Sequence, residues 1–222
     1  MEKVVLLLSG GIDSSVAAAY LKSAGFDVLP LFINHHQGPL KPETEASKVI
    51  ASELGLTPPF EVEIDLMKIK RQNKKWLEYG IGTPGRNMVF ISIAVVYAGV
   101  LGAENIALAT VFGSTYPDTS ISFLESIQRI GQAVLDRNIR VFSPFKQEKW
   151  THSEVVKQGV RLGVHLEKTW SCYLPNRNVQ CGICFKCKDR KNRFEEASIE
   201  DRTKYDYTGV TEEQLKEALF FV

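Results

Sequence analysis

Cysteine is absent from the first 171 residues of this 222-residue chain, and an excess of charge of either sign is absent from its composition. The 27 Lys and Arg residues are offset by 26 Asp and Glu residues, so bulk electrostatics gives no reason to expect a nucleic-acid partner. Long apolar runs are also lacking: residues 4–8 are too few for the core of a signal peptide, and residues 88–101 are too few for a membrane span. We therefore expect a soluble, cytoplasmic protein that contacts neither nucleic acid nor membrane.

Apolar runs and helical patterns alternate along most of the chain. Continuous runs rich in β-branched residues and leucine predict strands at residues 4–8, 28–33, 60–64, 105–109 and 139–142. Helical spacing predicts helices over residues 14–24, 43–54, 86–101, 121–136 and 153–162, with a further short helix over residues 211–219. Residues 65–84 are polar and irregular and form a candidate active-site loop. The alternation predicts an α/β fold with a doubly wound, mainly parallel five-stranded sheet.

Two adjacent glycines, Gly10 and Gly11, join the first strand to the first helix. Such glycines bring backbone N–H groups close to an anion, and the helix adds the partial positive charge of its N-terminus. The alternative is a plain glycine turn with a serine cap. The loop lacks the lysine of a Walker loop and the third glycine of a dinucleotide fingerprint. The candidate phosphate-binding residues are Ser9, Gly10, Gly11, Ile12, Asp13, Ser14 and Ser15, and Asp13 is also a candidate ligand of Mg²⁺.

This loop sequence, residues 9–15, resembles that of the pyrophosphate-loop ATPases. Members of that superfamily activate a carbonyl as its adenylate and then let a nitrogen or sulfur nucleophile displace AMP. The resemblance implies ATP as a cofactor and the adenine nucleotide alpha hydrolase-like (HUP) fold. It also implies that the loop holds the leaving pyrophosphate while Mg²⁺ offsets the growing charge.

The four cysteines, Cys172, Cys181, Cys184 and Cys187, are clustered as metal ligands are. In a reducing cytosol this clustering favours a metal site over disulfides. Four thiolates fill the tetrahedral coordination of a structural zinc ion. The alternative is an iron–sulfur cluster, because Cys-x₂-Cys-x₂-Cys is similar to the spacing in bacterial ferredoxins. Zinc is favoured, since those runs continue to a fourth Cys-Pro, whereas here Lys188 follows and the fourth ligand lies upstream.

Residues 166–173, Leu-Glu-Lys-Thr-Trp-Ser-Cys-Tyr, together with residues 181–187 and Arg190, resemble the 7-cyano-7-deazaguanine synthase family of the queuosine and archaeosine pathways. Matching segments are found at residues 84–87 (Pro-Gly-Arg-Asn), 116–118 (Tyr-Pro-Asp) and 199–201 (Ile-Glu-Asp). The resemblance covers roughly residues 4–205, which is nearly the whole chain. The joined cysteine and Thr-Trp-Ser-Cys-Tyr segments are highly specific to this family.

The resemblance implies that the chain uses ATP, Mg²⁺ and ammonia to convert 7-carboxy-7-deazaguanine to the nitrile, with a structural zinc ion. It also implies two domains, an ATP-binding domain at residues 1–168 and a zinc-binding, helical tail at residues 169–222, in a homodimer. The expected catalytic residues are Asp13, Ser14, Arg86 and His152. The expected substrate-binding residues are Arg86, Asn87, Tyr116, Pro117, Asp118 and Trp170. Asp118 is alternatively a cap of the helix near residue 121, and Trp170 is alternatively core filler under the metal loop.

The sequence differs from the family pattern at four places near the expected site. Residues 34–36 are Asn-His-His where the family has Asp-Tyr-Gly, and residues 111–115 lack the usual acidic residue and tyrosine. Thr119 replaces a cysteine, and His152 replaces a lysine expected to contact the phosphates. A histidine is shorter than a lysine and is charged only part of the time at neutral pH.

These differences leave three activities open. The first is the nitrile synthase reaction through an amide. The second is a divergent paralogue that joins the activated deazaguanine to an amine of a protein acceptor in bacterial antiviral defence. The third is a tRNA thiolation enzyme, which would need a catalytic cysteine pair in the core domain or an RNA-binding extension. It is disfavoured because no cysteine precedes Cys172.

Overall fold

The computed structural model describes residues 1–72, 83 and 85–218 of the chain. In this part of the chain, five parallel strands form one sheet in the order β3-β2-β1-β4-β5. The strands are β1 (Lys3–Leu7), β2 (Asp27–Asn34), β3 (Phe60–Glu63), β4 (Asn105–Ala107) and β5 (Arg140–Phe142). This order confirms the predicted doubly wound sheet.

Helices alternate with these strands. Within the described residues they are α1 (Ile12–Ser23), α2 (Leu40–Glu53), α3 (Leu66–Lys70), α4 (Arg86–Leu101), α5 (Ile121–Leu135), α6 (Pro144–Gln147), α7 (His152–Arg161), α8 (Phe185–Ala197) and α9 (Glu212–Ala218). The predicted helices are confirmed with shifted ends; α2 begins at Leu40 because Pro42 is tolerated in a first turn. None of the described helices has the length and apolar character required to cross a bilayer.

Three helices were not predicted from the sequence. Helices α3 and α6 are short, and α3 takes up part of the segment expected to be an irregular loop. The rest of that candidate loop, residues 73–82 and Pro84, lies outside the described residues. Helix α8 is mostly charged, and its buried positions, three or four residues apart, include Cys187 and Arg190 in place of a continuous apolar stripe.

Helices cover both faces of the sheet, because successive side chains of the central strand point to opposite sides. Val4 and Leu6 of β1 pack in a core with α1 and α7. Val5 packs in a second core with α4 and α5. Strands β2 and β3 follow β1 in the chain and lie on one side of it in the sheet. Strands β4 and β5 come later in the chain and lie on the other side of β1. The carboxyl ends of β1 and β4 therefore form the switch point at which such sheets bind ligands.

A smaller apolar cluster surrounds the four cysteines. Helix α8, which begins in this cluster, also packs on α7, and its Phe194 belongs to the core that contains β1. The predicted division between residues 168 and 169 stays a prediction, although the cysteine cluster has its own apolar neighbours.

Arg190 fastens the cysteine segment to the rest of the chain. Its side chain is fully buried, and its Nη1 donates to Thr169 Oγ1 at 2.8 Å and Ser171 Oγ at 3.2 Å. Its Nη2 donates to the Leu166 carbonyl oxygen at 2.7 Å, and its Nε lies 3.4 Å from an Asp201 carboxylate oxygen. One guanidinium thus joins three separate stretches of the chain.

We expect Arg190→Met to lower the free energy of unfolding by about 3–5 kcal/mol, because Asp201 would remain as a partly buried charge without its partner. Urea unfolding followed by tryptophan fluorescence measures the change. Arg202→Met is the matched control, since the Arg202 side chain is 77% exposed, and it should change stability by less than about 0.5 kcal/mol. A loss below about 1 kcal/mol for Arg190→Met would contradict this role for the guanidinium.

Candidate active site

The loop between β1 and α1 approaches two other segments at Gly10. This residue has φ +79°, and a Cβ added to it would lie 2.6 Å from the Glu43 backbone oxygen and 2.7 Å from the Ser47 backbone nitrogen. Only glycine fits such a position, because side chains rarely adopt this conformation and no space is left for one. The carbonyl oxygen of Gly10 accepts a hydrogen bond from the Trp170 backbone N–H at 2.9 Å.

The serines of the loop shape its turn. Ser15 is fully buried and donates from Oγ to the Gly11 carbonyl oxygen at 2.8 Å. The hydroxyls of Ser9 and Ser14 lie 3.1 Å apart, and Ser14 Oγ accepts from the Ser9 backbone N–H at 3.2 Å. No side chain caps the N-terminus of α1, whose first residues are the predicted phosphate ligands Ile12, Asp13, Ser14 and Ser15. The free N–H groups of this first turn are suited to an anion.

Asp13 lies between two cationic or polar side chains from different helices. Both of its carboxylate oxygens accept from Arg193 Nη1 at 3.1 Å, and one lies 3.6 Å from His152 Nδ1. Burial favours the neutral carboxyl, but the Arg193 guanidinium and the His152 imidazole outweigh burial and hold the pKa of Asp13 well below its usual range. Asp13 is therefore a carboxylate at neutral pH, as a Mg²⁺ ligand must be.

A cavity of about 990 Å³ opens at the carboxyl ends of β1, β2 and β4. It brings together the predicted site residues Ser9, Asp13, Ser14, Arg86, Asn87, Tyr116, Pro117, Asp118 and His152. A smaller cavity of about 270 Å³ adjoins the loop and is lined by Ser9, Gly11, Ile12, Asp13, Ser14, Arg86 and Trp170. Most of the residues predicted from sequence thus lie around one continuous region; Gly10 and Ser15 instead form the body of the loop.

Asn87 and Asp118 are held together at the start of α4. The Asn87 backbone N–H donates to Asp118 Oδ2 at 3.1 Å, and its side-chain Nδ2 donates to the Asp118 carbonyl oxygen at 3.2 Å. Ser120, and not Asp118, caps α5 by accepting from the Phe123 N–H. Arg86 occupies the first position of α4, where its charge opposes the helix dipole, and its guanidinium lies 5.8 Å from the centroid of Phe90.

Trp170 packs among the apolar neighbours of the cysteine cluster, and its Nε1 donates to the Cys172 carbonyl oxygen at 2.8 Å. The structure places it on the smaller cavity and not on the lining of the larger one. Stacking of Trp170 on a planar heterocycle stays a prediction.

Residues at the altered positions make hydrogen bonds within the protein. Asn34 Nδ2 donates to Glu61, and His36 Nε2 pairs with Glu63 at 2.7 Å on the surface. His35 is buried beside the larger cavity, with its ring centroid 5.2 Å from that of Phe90 and the two ring planes inclined at 46°. Burial, followed by the charge of Arg86, lowers the pKa of His35 to about 3. His35 is therefore a neutral imidazole near neutral pH.

Four titratable residues of the cavity walls were missed by the sequence analysis: Glu43, Tyr173, Lys186 and Arg193. Arg193 and Lys186 lie on α8, a helix that was not predicted. Glu43 lies on α2, where no sequence motif indicates a functional site. Tyr173 ends the Thr-Trp-Ser-Cys-Tyr segment, which was a signal that could have identified it.

The four cysteine thiols converge within the small apolar cluster at the start of α8. All four Sγ atoms lie within 4.8 Å of one another, with Cys181–Cys187 at 3.9 Å and Cys172–Cys184 at 4.0 Å. Tetrahedral zinc with Zn–S bonds of about 2.3 Å separates its sulfurs by about 3.8 Å. The cluster could therefore hold one zinc ion, whereas the several irons of a cubane cluster would push the thiols further apart.

Comparison with known proteins gives consistent matches. The family model described as "Queuosine biosynthesis protein QueC" matches residues 3–198. A protein of Nautilia profundicola named 7-cyano-7-deazaguanine synthase is 33% identical over 222 residues, covering 92% of this chain and 99% of the relative. A protein of the same name from a Sulfurovum species is 31% identical over 221 residues, covering 92% and 98%.

Among solved structures, a 4-thiouridine synthetase–RNA complex with bound ATP matches with a TM-score of 0.57 at 20% identity. The match covers 98% of this chain and 50% of that one. At this identity the likeness concerns the fold alone.

Glu43 provides a test of the cavity electrostatics. Its Oε2 accepts from Gln37 Nε2 at 2.9 Å, and burial raises its pKa to about 7, although Gln37 and Arg86 lower it in part. As pH rises from about 4.5 to about 7, the unfolded chain releases this proton while the folded chain keeps it, so the stability of the folded state falls.

The Glu43→Gln substitution removes this titratable group and therefore the loss of folding stability that it causes as pH rises. Because Glu43 is only partly buried, we expect the variant to be more stable than wild type at pH 8 by about 1–2 kcal/mol, and by much less at about pH 5. Urea unfolding at both pH values measures the difference. Glu45→Gln, an exposed change on the same helix, should show no such pH dependence. An equal effect of Glu43→Gln at both pH values would contradict the raised pKa.

Proposed function

The chain belongs to the QueC family of queuosine biosynthesis proteins, and on this premise we propose that it is an ATP-dependent ligase acting on 7-carboxy-7-deazaguanine. One observation carries the proposal: a single cavity is lined by loop residues Ser9, Asp13 and Ser14 and also by the paired Asn87 and Asp118. A nucleotide bound by the loop and a planar heterocycle bound near Asp118 would then share one space. That arrangement is what transfer of an adenylyl group requires.

We assign the ATP phosphates to the loop. The free N–H groups at the start of α1 are the donors, while Gly10 and Ser15 keep the loop in its shape. The hydroxyls of Ser9 and Ser14 bond to each other, and that of Ser14 also bonds to the Gly11 carbonyl oxygen, so they would have to turn towards a phosphate to donate to it. Mg²⁺, held by Asp13, would offset charge on the leaving pyrophosphate.

The deazaguanine is assigned to the end of the cavity formed by Tyr116, Pro117 and Asp118. Since Asn87 uses only the Oδ2 atom and the carbonyl oxygen of Asp118, the other carboxylate oxygen can accept hydrogen bonds from a guanine-like amino edge. Arg86, at the border of both cavities, is a cation available to the substrate carboxylate.

The proposed chemistry has two activations. A substrate carboxylate oxygen attacks the α-phosphorus of ATP, and the bond to pyrophosphate breaks. Ammonia then attacks the acyl carbon, AMP leaves, and an amide forms with loss of a proton. The amide oxygen then attacks the α-phosphorus of a second ATP and pyrophosphate leaves. Loss of AMP and of both N–H protons leaves the nitrile. Asp13, Ser14, Arg86 and His152 are proposed to stabilise the charge that develops on the phosphates.

Zinc is proposed as a structural ion of the cysteine cluster. Cys172, Cys181, Cys184 and Cys187 would complete its coordination and leave no open position for catalysis. All four cysteines of the sequence are used in this way, which disfavours a thiolation activity that needs a reactive cysteine.

A homodimer is also proposed. Val96 and Val100 of α4, and Ile130 and Val134 of α5, are more than half exposed and form apolar pairs one turn apart on their helices. The molar mass in solution tests this proposal.

The activity assay combines purified protein with ATP, Mg²⁺, 7-carboxy-7-deazaguanine and ammonium, and follows products by mass spectrometry. We expect amide, then nitrile, with one AMP for each step. Asp13→Ala should lower the rate at least about 100-fold, because a metal ligand at the phosphates is lost. Glu45→Ala, which removes an exposed carboxylate, should leave the rate unchanged. Adenylate that accumulates without amide would refute ammonia as the acceptor and favour a protein amine.

Metal analysis of the purified protein should find about one zinc per chain and no visible absorbance. Chelation should lower the melting temperature and cause aggregation, because the segment around the cysteines has little apolar core without the ion. Brown protein that contains iron and sulfide would overturn the zinc assignment.

A further inference from the structure

We propose that Arg193 of α8 binds the ATP phosphates and replaces the lysine that the family carries at position 152. This inference rests on the proposed binding of ATP by the loop. It adds a residue that the resemblance to the family did not bring to the site.

Arg193 reaches from the cysteine-bearing helix to the phosphate loop. Its Nη1 lies 3.1 Å from each carboxylate oxygen of Asp13, and its Nη2 lies 2.8 Å from an Asp189 oxygen. The side chain is 11% exposed and lines both cavities. A guanidinium in this position faces the space that the loop leaves for phosphates.

The imidazole of His152 provides a hydrogen-bond acceptor for the guanidinium of Arg193. Its Nε2 lies 3.3 Å from Arg193 Nη2. Because a guanidinium can only donate, Nε2 must accept this bond, which places the imidazole proton on Nδ1, facing Asp13. A lysine at position 152 has no acceptor and would place a second cation beside Arg193. The histidine therefore fits a site in which the cation comes from α8.

The contacts of Arg193 leave donors available for a phosphate. Asp13 is the expected Mg²⁺ ligand, so binding of Mg–ATP would draw its oxygens towards the metal and free Nη1 of Arg193. Arg193 Nε and His152 Nδ1 are already buried with no hydrogen-bond partner among the described residues. Asp189 would keep the guanidinium oriented through Nη2. The two hydrogens of Nη1, which now face the two oxygens of Asp13, would then be available to phosphate oxygens.

The test measures binding of Mg–ATP and of AMP by isothermal titration calorimetry, without deazaguanine substrate. Arg193→Ala should weaken Mg–ATP binding about 10- to 100-fold, the range for a lost charge-assisted contact, while AMP binding changes less than about twofold. Arg202→Ala, an exposed arginine of the same tail, should leave both affinities unchanged. Arg193→Gln, which keeps most of the volume, replaces Arg193→Ala if that variant does not fold.

A double variant that adds a lysine separates phosphate binding by Arg193 from a purely structural role of this residue. In the Arg193→Ala background, His152→Lys should restore Mg–ATP affinity to within about fivefold of wild type, because a cation returns from α7. The same change in the wild-type background should not raise affinity, since two cations would then compete for one place.

Three results would overturn the proposal: unchanged Mg–ATP binding in Arg193→Ala, an equal loss of AMP binding, or no rescue by His152→Lys. Failure of the wild-type protein to bind Mg–ATP would instead refute the proposed function itself.

Discussion

The approach of three chain segments at Gly10 determines the geometry of the site. The backbone of α2 lies so close to this residue that a side chain would overlap Glu43 and Ser47, and the Trp170 N–H bonds to the Gly10 carbonyl oxygen. The positive φ of Gly10 turns the chain from β1 into α1 within four residues, from Leu7 to Ile12. Because the turn is this tight, the first N–H groups of α1 face the same space as the carboxyl ends of the central strands. The relative positions of the β1–α1 loop, helix α2 and the segment at Trp170 thus depend on the contacts of Gly10.

The segment that carries the four cysteines is joined to the rest of the chain by further contacts besides the hydrogen bond between Trp170 and Gly10. Arg190 bonds to Leu166 and Thr169 before the cysteines and reaches Asp201 after α8. Arg193, one turn further along the same helix, reaches Asp13. A metal ion that orders the start of α8 would therefore also fix the direction in which these two arginines point. A metal ion at the cysteines would in this way influence the charge beside Asp13 through one helix.

Local sequence patterns were sufficient to predict the strands, the turn from β1 into α1 and the convergence of the cysteines, since each depends on residues near one another in the chain. That this turn binds phosphate stays a prediction. The Asn87–Asp118 pair was predicted as two separate site residues, but their hydrogen bonds join segments far apart in sequence and had no local signal. Arg193 was missed for the same reason, because its partner Asp13 lies at the opposite end of the chain. Short helices such as α3 and α6 carry too few residues for a periodic pattern. Burial of His35 was also not predictable, since it depends on the packing of Phe90 from α4.

The positions that differ from the family separate into two kinds once their partners are known. Beside Asp13, where the ATP phosphates are proposed to bind, His152 has the cationic neighbour Arg193, so the charge that a lysine would supply is present from another helix. Around Asp118, where the deazaguanine is proposed to bind, the new groups Thr119 and His35 are neutral. Thr119 Oγ1 donates its one proton to the Tyr116 carbonyl oxygen at 2.7 Å, so Ser114 must donate to Thr119, and the hydroxyl has no proton left for a substrate. His35 is uncharged and lies against Phe90. In the proposed binding mode, selection of the heterocycle would therefore come from cavity shape and from the free oxygen of Asp118.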